Sequence, residues 1–201
     1  MVSLPDLVEI GDEEEVKTAI RNGSEVNQQG AYQQTALHRA CSVNRTEIVK
    51  ILLQSDNIDV NLPDIYGWTP FSTVSHIGYN ECALLMLQDG RTDVNWVDYG
   101  GWTPLMRASS EGKLQTVALL LAFGRKIEVD KVRIVTEPKT VVNSDAPVEN
   151  IKVGFRAIDL AKQKGHQEVV NLLENFENNP SQTIEKLRKD LDLKGIKIKN
   201  K

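Results

Sequence analysis

The sequence has few of the features that mark secreted and membrane proteins. Its 201 residues include only two cysteines, and residues 1–10 lack the basic start and apolar run of a secretory signal. A disulfide-stapled secreted domain is therefore not expected. The longest apolar runs, such as residues 117–123, span about seven residues, well short of the roughly 20 that a membrane helix needs. We expect a cytoplasmic protein, with the nucleus as the alternative.

Excess charge of one sign is also missing. The 24 Lys plus Arg nearly balance the 28 Asp plus Glu, which gives a net charge of −4 with neutral histidines. No strong field would steer the chain onto nucleic acid or an anionic membrane, so neither is an expected partner. Aromatic residues are scarce, yet the apolar residues fall in clusters separated by turn residues, and this predicts a folded chain.

What the sequence does have is a repeat of 34 residues. Thr-Ala-Leu-His, Thr-Pro-Phe-Ser and Thr-Pro-Leu-Met begin 34 residues apart, at positions 35, 69 and 103. Val-Asn pairs recur at the same interval, at residues 26–27, 60–61 and 94–95. Each period predicts a glycine turn followed by a threonine N-cap and two short helices. Because neither helix is long enough to be stable alone, each unit must pack on the next.

This pattern resembles the ankyrin repeat, whose unit is a β-turn plus two antiparallel helices around a Thr-Pro-Leu-His-x-Ala core. The resemblance covers roughly residues 4–176 and is strongest over residues 26–121. It implies an all-α solenoid of five helix-pair units, two of them caps. The units are expected at about residues 1–27, 28–61, 62–95, 96–129 and 149–176, which together form a repeat domain over residues 1–176.

The period breaks before the last unit. From Thr103 to its counterpart Arg156 is 53 residues, which is 19 more than one period. Residues 131–135 and 148–153 alternate apolar and polar side chains and flank turn-forming residues, so we predict a β-hairpin insertion at about residues 131–148. This arm is either a tolerated insertion or an extension of the binding face.

Residues 177–201 are expected to form a C-terminal helix and a basic tail. Residues 183–193 carry an apolar stripe, which predicts the helix. The helix would cap the end of the solenoid or dock on a partner. The four lysines between positions 194 and 201 form the tail and are expected to be solvated.

Residues that could carry chemistry do not form a catalytic pattern. His38 and His166 occupy repeat positions and are expected to be structural, and His76 has no cysteine or histidine at ligand spacing. Cys41 and Cys82 lie in apolar helix segments and are expected to be buried. No phosphate-binding glycine loop is present. We therefore expect no enzyme, no metal and no cofactor.

The resemblance implies that a partner protein binds the concave face formed by the turns and the first helices. Aromatic and arginine residues, which dominate interface hot spots, map to this face. The candidate contact residues are Tyr32, Gln34, Arg39, Ile65, Tyr66, Trp68, His76, Tyr99, Trp102, Met106, Arg107, Ser110, Glu111 and Arg133. The two tryptophans have packing between turns as an alternative role, and Arg39 and Arg107 would suit an acidic or extended ligand.

The predicted function is non-catalytic recognition of a protein partner by a monomer that acts as scaffold, adaptor or inhibitor. The concave face and the arm would make the contact. Two alternatives are a subunit of a larger assembly and, in a different class, a small-ligand site or enzyme between arm and stack. The latter would require ionisable groups that converge near residues 153–155.

Overall fold

The structure, a computed structural model, describes residues 3–10, 12–123, 126–138 and 150–193. The α-helices in these ranges are α1 (Leu4–Ile10), α2 (Glu13–Arg21), α3 (Ala36–Ser42), α4 (Thr46–Leu53), α5 (Pro70–Ile77), α6 (Asn80–Gln88), α7 (Pro104–Ser110), α8 (Leu114–Ala122), α9 (Ala157–Lys164), α10 (Gln167–Asn178) and α11 (Pro180–Asp190). The antiparallel strands are β1 (Arg133–Pro138) and β2 (Asn150–Phe155). The predicted solenoid of five helix pairs with a small hairpin is confirmed.

The helices form two layers with the core between them. The first helices of the pairs pack side by side in one layer, formed by α1, α3, α5, α7 and α9. The second helices pack in the other layer, formed by α2, α4, α6, α8 and α10. Leu37, Phe71, Leu105 and Ile158 occupy one column of the repeat, and all four are buried. Because no helix is long enough to persist alone, burial between neighbouring units supplies their stability.

Threonine hydroxyls begin the first helices, as predicted. The side chains of Thr69 and Thr103 accept the backbone N–H groups three residues later, and a proline occupies the first helical position in both units. Arg156 stands at this position in the last unit and has no hydroxyl. There the carboxylate of Asp159 accepts the backbone N–H of Arg156 at 2.9 Å, so that this helix start is also capped.

The turn before each first helix requires a left-handed residue. Gly67 and Gly101 take this conformation with φ of 79° and 78°. The same position in the first full unit is Gln33, which has φ of 56°. A non-glycine residue is strained in this region of backbone conformation, so the first full unit keeps the turn geometry at a cost in stability.

Asparagines spaced 34 residues apart, Asn27, Asn61 and Asn95, hold successive units in register. The Nδ2 of Asn61 donates to the carbonyl of Arg91 at 2.8 Å, and its Oδ1 accepts the N–H of Asp93 at 2.8 Å. Asn27 and Asn95 make the same pair of bonds with the unit that follows them. The Val-Asn pairs found in the sequence are therefore the connections between units.

Replacing Asn61 by alanine should lower the free energy of unfolding by about 2 kcal/mol, because two bonds to backbone groups are lost together. Urea titration followed by circular dichroism at 222 nm measures the change. Asn57→Ala is the matched control, since the Asn57 side chain is exposed and makes no hydrogen bond among the described residues. Equal stability of the two variants would contradict the assigned role.

The arm is an elongated form of the repeat turn. In the third full unit, the N–H of Asp98 donates to the carbonyl of Trp102 at 3.0 Å and closes a short turn before α7. In the last unit, Phe155 directly precedes the N-cap residue Arg156, and its partner in the hairpin is Arg133. The chain thus leaves and rejoins the solenoid at the same place as in an ordinary turn, with two strands between.

β1 begins two residues later than predicted, whereas the predicted start of the second strand, at residue 148, lies outside the described residues. The N–H of Lys131 donates to the carbonyl of Glu128 at 3.3 Å, so the chain is still turning where the strand was expected. Alternation of apolar and polar residues indicates a strand but leaves its register open, and here the pairing of Arg133 with Phe155 determines it. The expected turn of the arm, within residues 139–149, lies outside the described residues.

The C-terminal helix α11 begins at Pro180, three residues before the predicted start, because proline suits the first helical position. It packs against α8 and α10, and Leu187 and Leu191 contact the core. The Nε of Arg188 donates to the carbonyl of Ala122 at the end of α8, at 2.7 Å. The predicted basic tail, residues 194–201, lies outside the described residues. None of the helices described is long and apolar enough to cross a membrane.

Candidate protein-binding groove

An open groove of about 660 Å³ lies between the turns of the second and third full units, beside α5 and α7. We call it the concave groove. Its lining residues are Gln34, Asp64, Ile65, Tyr66, Trp68, Thr73, Tyr99, Gly100 and Arg107. Six of these belong to the set predicted from the sequence. Asp64, Thr73 and Gly100 complete the lining and were not in that set.

Large exposed side chains form the rim of the concave groove. Tyr99 is 74% exposed, Tyr66 59% and Ile65 40%. The N–H of Ile65 donates to the carbonyl of Tyr32 at 3.1 Å, and the N–H of Tyr99 donates to that of Tyr66 at 3.3 Å. Neighbouring turns are thus joined directly, and Tyr32, itself 61% exposed, extends the aromatic row to the first full unit.

Gly67 allows the close approach of the second and third turns. A Cβ atom at Gly67 would lie 2.7 Å from both the backbone nitrogen and the ring atom Cδ1 of Tyr99. The ring of Tyr99 therefore packs directly on the backbone of the preceding turn. Glycine at this position therefore allows both the positive φ of the turn and the close packing of the Tyr99 ring.

A buried carboxylate lies at the base of each turn. The Oδ1 of Asp64, a residue only 3% exposed, accepts the N–H groups of Tyr66 and Trp68 at 2.9 Å each. Asp98 does the same in the next turn, where its Oδ1 accepts the N–H groups of Gly100 and Trp102. These bonds fix the turn conformation and explain why aspartate begins both turns.

Arg107 is paired within the protein. Its Nε and Nη2 donate to Oδ2 of Asp98, and its guanidinium carbon lies 4.1 Å from the ring centroid of Trp68 and 4.7 Å from that of Trp102. The guanidinium is therefore held between two indole rings and neutralised by a carboxylate whose side chain is 1% exposed. The expectation that Arg107 receives an acidic ligand does not fit this arrangement.

Arg133 extends the same stack into the arm. Its guanidinium carbon lies 4.6 Å from the ring centroid of Trp102, and its Nε donates to the carbonyl of Gly100 at 2.9 Å. Indole and guanidinium groups thus alternate from Trp68 through Arg107 and Trp102 to Arg133. Both tryptophans pack between turns, and Trp68 also lines the concave groove. The base of the arm is bonded directly to a wall of the groove.

Arg39 is also paired, although nearer the surface. Its Nη1 lies 2.7 Å from Oε1 of Glu9 on α1, and the two side chains are 25% and 52% exposed. Such a surface pair contributes little to stability. It does leave the guanidinium engaged, so the expected pair of free arginines for an acidic ligand is absent from this face.

Four other predicted contact residues lie outside the lining of the groove. Met106 is 1% exposed and belongs to the core, so its assignment to the surface was wrong. Ser110 is buried, and its carbonyl is hydrogen-bonded to Nε2 of His166 at 3.0 Å. His76 packs edge-on against the ring of Trp68, and its Nδ1 lies 3.9 Å from Oε1 of Glu111. Burial lowers the pKa of His76.

The remaining histidines and the cysteines serve packing. His38 is hydrogen-bonded through Nδ1 to the hydroxyl of Thr35 and through Nε2 to the carbonyl of Trp68 in the next unit. Cys41 and Cys82 are buried, as predicted, and burial raises the pKa of both thiols, that of Cys82 to about 11. Such thiols are poor nucleophiles at neutral pH. In the part of the chain described, no group of three acidic, histidine or cysteine side chains is placed to hold a metal ion.

Comparison with known proteins agrees with this architecture. A family model described as ankyrin repeats (3 copies) matches residues 7–95 and 74–184. A search of curated proteins finds no match. The two matched ranges together span nearly the whole solenoid, from α1 into α11. The chain belongs to the ankyrin-repeat family.

Proposed function

We propose that this protein recognises a partner protein by holding an extended segment of it in the concave groove, with the arm as a second contact. Ankyrin repeats are in general non-catalytic modules of protein–protein interaction. The function proposed for this chain is of the same kind, as a scaffold, adaptor or inhibitor that acts as a monomer. The cytoplasm or nucleus is the proposed location.

The single observation that carries the proposal is the exposed aromatic rim. Ile65, Tyr66 and Tyr99 are large and exposed, and they lie together around one open groove. Clustered exposed apolar side chains are typical of interaction sites, and tyrosine is enriched among the residues that dominate binding energy. The row is held by backbone bonds between turns, so little ordering would be needed on binding.

We also propose that residues 1–176 are the recognition domain and that residues 177–201 are a C-terminal helix and basic tail, of which the helix covers the end of the domain. The contacts of α11 with α8 and α10 support this division. The arm, which we assign to residues 131–148 together with β2, supports the recognition role because Arg133 joins it to the wall of the groove.

The double substitution Tyr66→Ala with Tyr99→Ala tests the groove. Peptides would be selected from a random phage-displayed library on the wild-type protein, and their affinities for both proteins measured by fluorescence polarisation. We expect the double variant to bind the selected peptides about 30-fold more weakly, since each hot-spot tyrosine contributes about 1 kcal/mol or more. Helical circular dichroism should be unchanged, because both side chains are mostly exposed.

Val97→Ala is the matched control, since Val97 is 39% exposed and does not line the groove. It should bind every selected peptide with wild-type affinity. Peptides that bind the double variant as well as the wild type would show that the groove is not the contact. Replacement of residues 134–154 by a short turn would then identify the arm as the site if it abolishes binding.

A further inference from the structure

The second and third full units differ in formal charge at one register position of the groove lining. Asp64 and Asp98 share a register position, and so do Trp68 and Trp102, so both turns begin with a carboxylate and end with an indole. The third shared position is Arg107 on α7 and Thr73 on α5. The second full unit therefore has the carboxylate and the indole of the third unit without its guanidinium.

Thr73 cannot replace the missing cation. Its hydroxyl donates to the carbonyl of Thr69 at 3.3 Å, within its own helix. The Oδ1 of Asp64 accepts two turn amides, as in the next unit, but among the residues the structure describes no cation pairs with this carboxylate. The imidazole of His38 interacts with Asp64 but does not supply the cation, because burial lowers the pKa of His38.

The groups around Thr73 form part of the groove lining. Gln34, Asp64, Trp68 and Thr73 all line the concave groove. They are the register counterparts of the residues around Arg107, with Gln34 in the place that Trp68 takes one unit later. The groove thus contains a copy of the Arg107 site that is open to a side chain from outside.

The geometry points to an arginine side chain of the partner segment as the occupant of this copy. This inference rests on the proposed binding function and specifies its partner chemistry. The guanidinium would stack on Trp68 and donate two hydrogen bonds to the carboxylate of Asp64, as Arg107 does with Asp98. Arginine fits better than lysine because only a planar guanidinium both stacks on an indole and donates from two nitrogens at once to the remaining carboxylate oxygen.

The charges of the groove agree with a basic ligand. Arg107 is neutralised by Asp98, and Arg39 on the same face is engaged by Glu9. The formal charge left in the groove lining is then the carboxylate of Asp64, so an incoming cation meets an attractive field. An acidic segment would meet repulsion there.

A first test needs no peptide. Thr73→Arg places the cation on α5, in the register of Arg107, and should melt at a higher temperature than Thr73→Gln, which adds length without charge. Combining each substitution with Asp64→Asn should remove this difference, because the carboxylate is then gone. If Thr73→Arg melts no higher than Thr73→Gln, the site does not accept a guanidinium and the inference is overturned.

A second test uses the library peptides whose binding is weakened by Tyr66→Ala with Tyr99→Ala. We expect each to contain one arginine whose replacement by citrulline, an uncharged near-isostere, lowers affinity about tenfold or more. Asp64→Asn should cause a similar loss for the arginine peptide and almost none for the citrulline peptide. Thr73→Arg should block the arginine peptides, while Val97→Ala should bind them as the wild type does.

The outcomes separate this inference from the proposed function. Peptides that depend on the two tyrosines but are insensitive to citrulline and to Asp64→Asn would overturn the arginine site and leave groove binding intact. Selection of lysine in place of arginine would overturn the choice of guanidinium. If no selected peptide depends on the two tyrosines, the proposed function fails and the arginine site fails with it.

Discussion

Replacing Arg107 by alanine should lower the free energy of unfolding by about 3–5 kcal/mol, the usual cost of leaving one partner of a buried ion pair alone. The carboxylate of Asp98 is almost fully buried, with its side chain 1% exposed, and its Oδ2 accepts both bonds from the guanidinium. Without Arg107 this charge would keep only the backbone N–H groups of Gly100 and Trp102 as partners and would lose its cation. The stacking contacts with Trp68 and Trp102 would be lost as well.

Two further variants test the cause of that loss. Asp98→Asn in the Arg107→Ala background removes the unpaired charge but keeps an oxygen to accept the amides of Gly100 and Trp102, so it should restore part of the stability. Arg107→Lys keeps the charge without the planar stack and should fall between wild type and alanine. Chemical denaturation measures all three. A loss below about 1 kcal/mol for Arg107→Ala would place this pair in the class of surface ion pairs.

Phe71→Ala should cost about 3–5 kcal/mol, because it leaves a cavity in the centre of the solenoid. Phe71 has no exposed surface and stands in the column where the neighbouring units carry Leu37 and Leu105. Since α5 packs on both α3 and α7, the damage affects the contacts of one unit with both its neighbours. Stability in a solenoid depends on such contacts between neighbouring units, so a cavity in a central unit weakens two interfaces and a cavity in a terminal unit weakens one.

Phe71→Leu is the matched control, since leucine fills the same column in both adjacent units. It should cost less than about 1.5 kcal/mol, as size-conserving core changes usually do. Differential scanning calorimetry would also show whether Phe71→Ala divides the unfolding transition into two. A loss in Phe71→Ala no greater than in Phe71→Leu would show that the core closes around the missing ring.

The solenoid could be predicted from the sequence because each unit repeats the same local signals at one spacing. Threonine caps, turn glycines and Val-Asn pairs act over a few residues or between adjacent units, and all keep a 34-residue interval. The strand bounds of the arm could not be placed in the same way. They depend on the pairing of Arg133 with Phe155, two residues 22 positions apart in the chain.

The rim of the groove was also predictable, whereas the pairing of its charges was not. Tyr66 and Tyr99 lie at turn tips, where the register alone predicts exposure. The engagement of Arg107 depends on how the indoles of two separate turns stack around it. Met106 was placed wrongly because its position, third in the first helix, faces inward in every full unit. His38 and Ser72 hold that position in the other two units and are buried as well.

Because the arm is attached at a single turn position, the length of the arm does not affect the spacing of the helices in the solenoid. Residues 133–155 leave and return where an ordinary turn would, so the helices on either side keep their stacking whatever lies between. Lengthening a loop adds only a slowly growing entropy cost. The site between α8 and α9 is therefore a natural graft point. Hairpins of other lengths or sequences can be exchanged there while the solenoid itself stays the same.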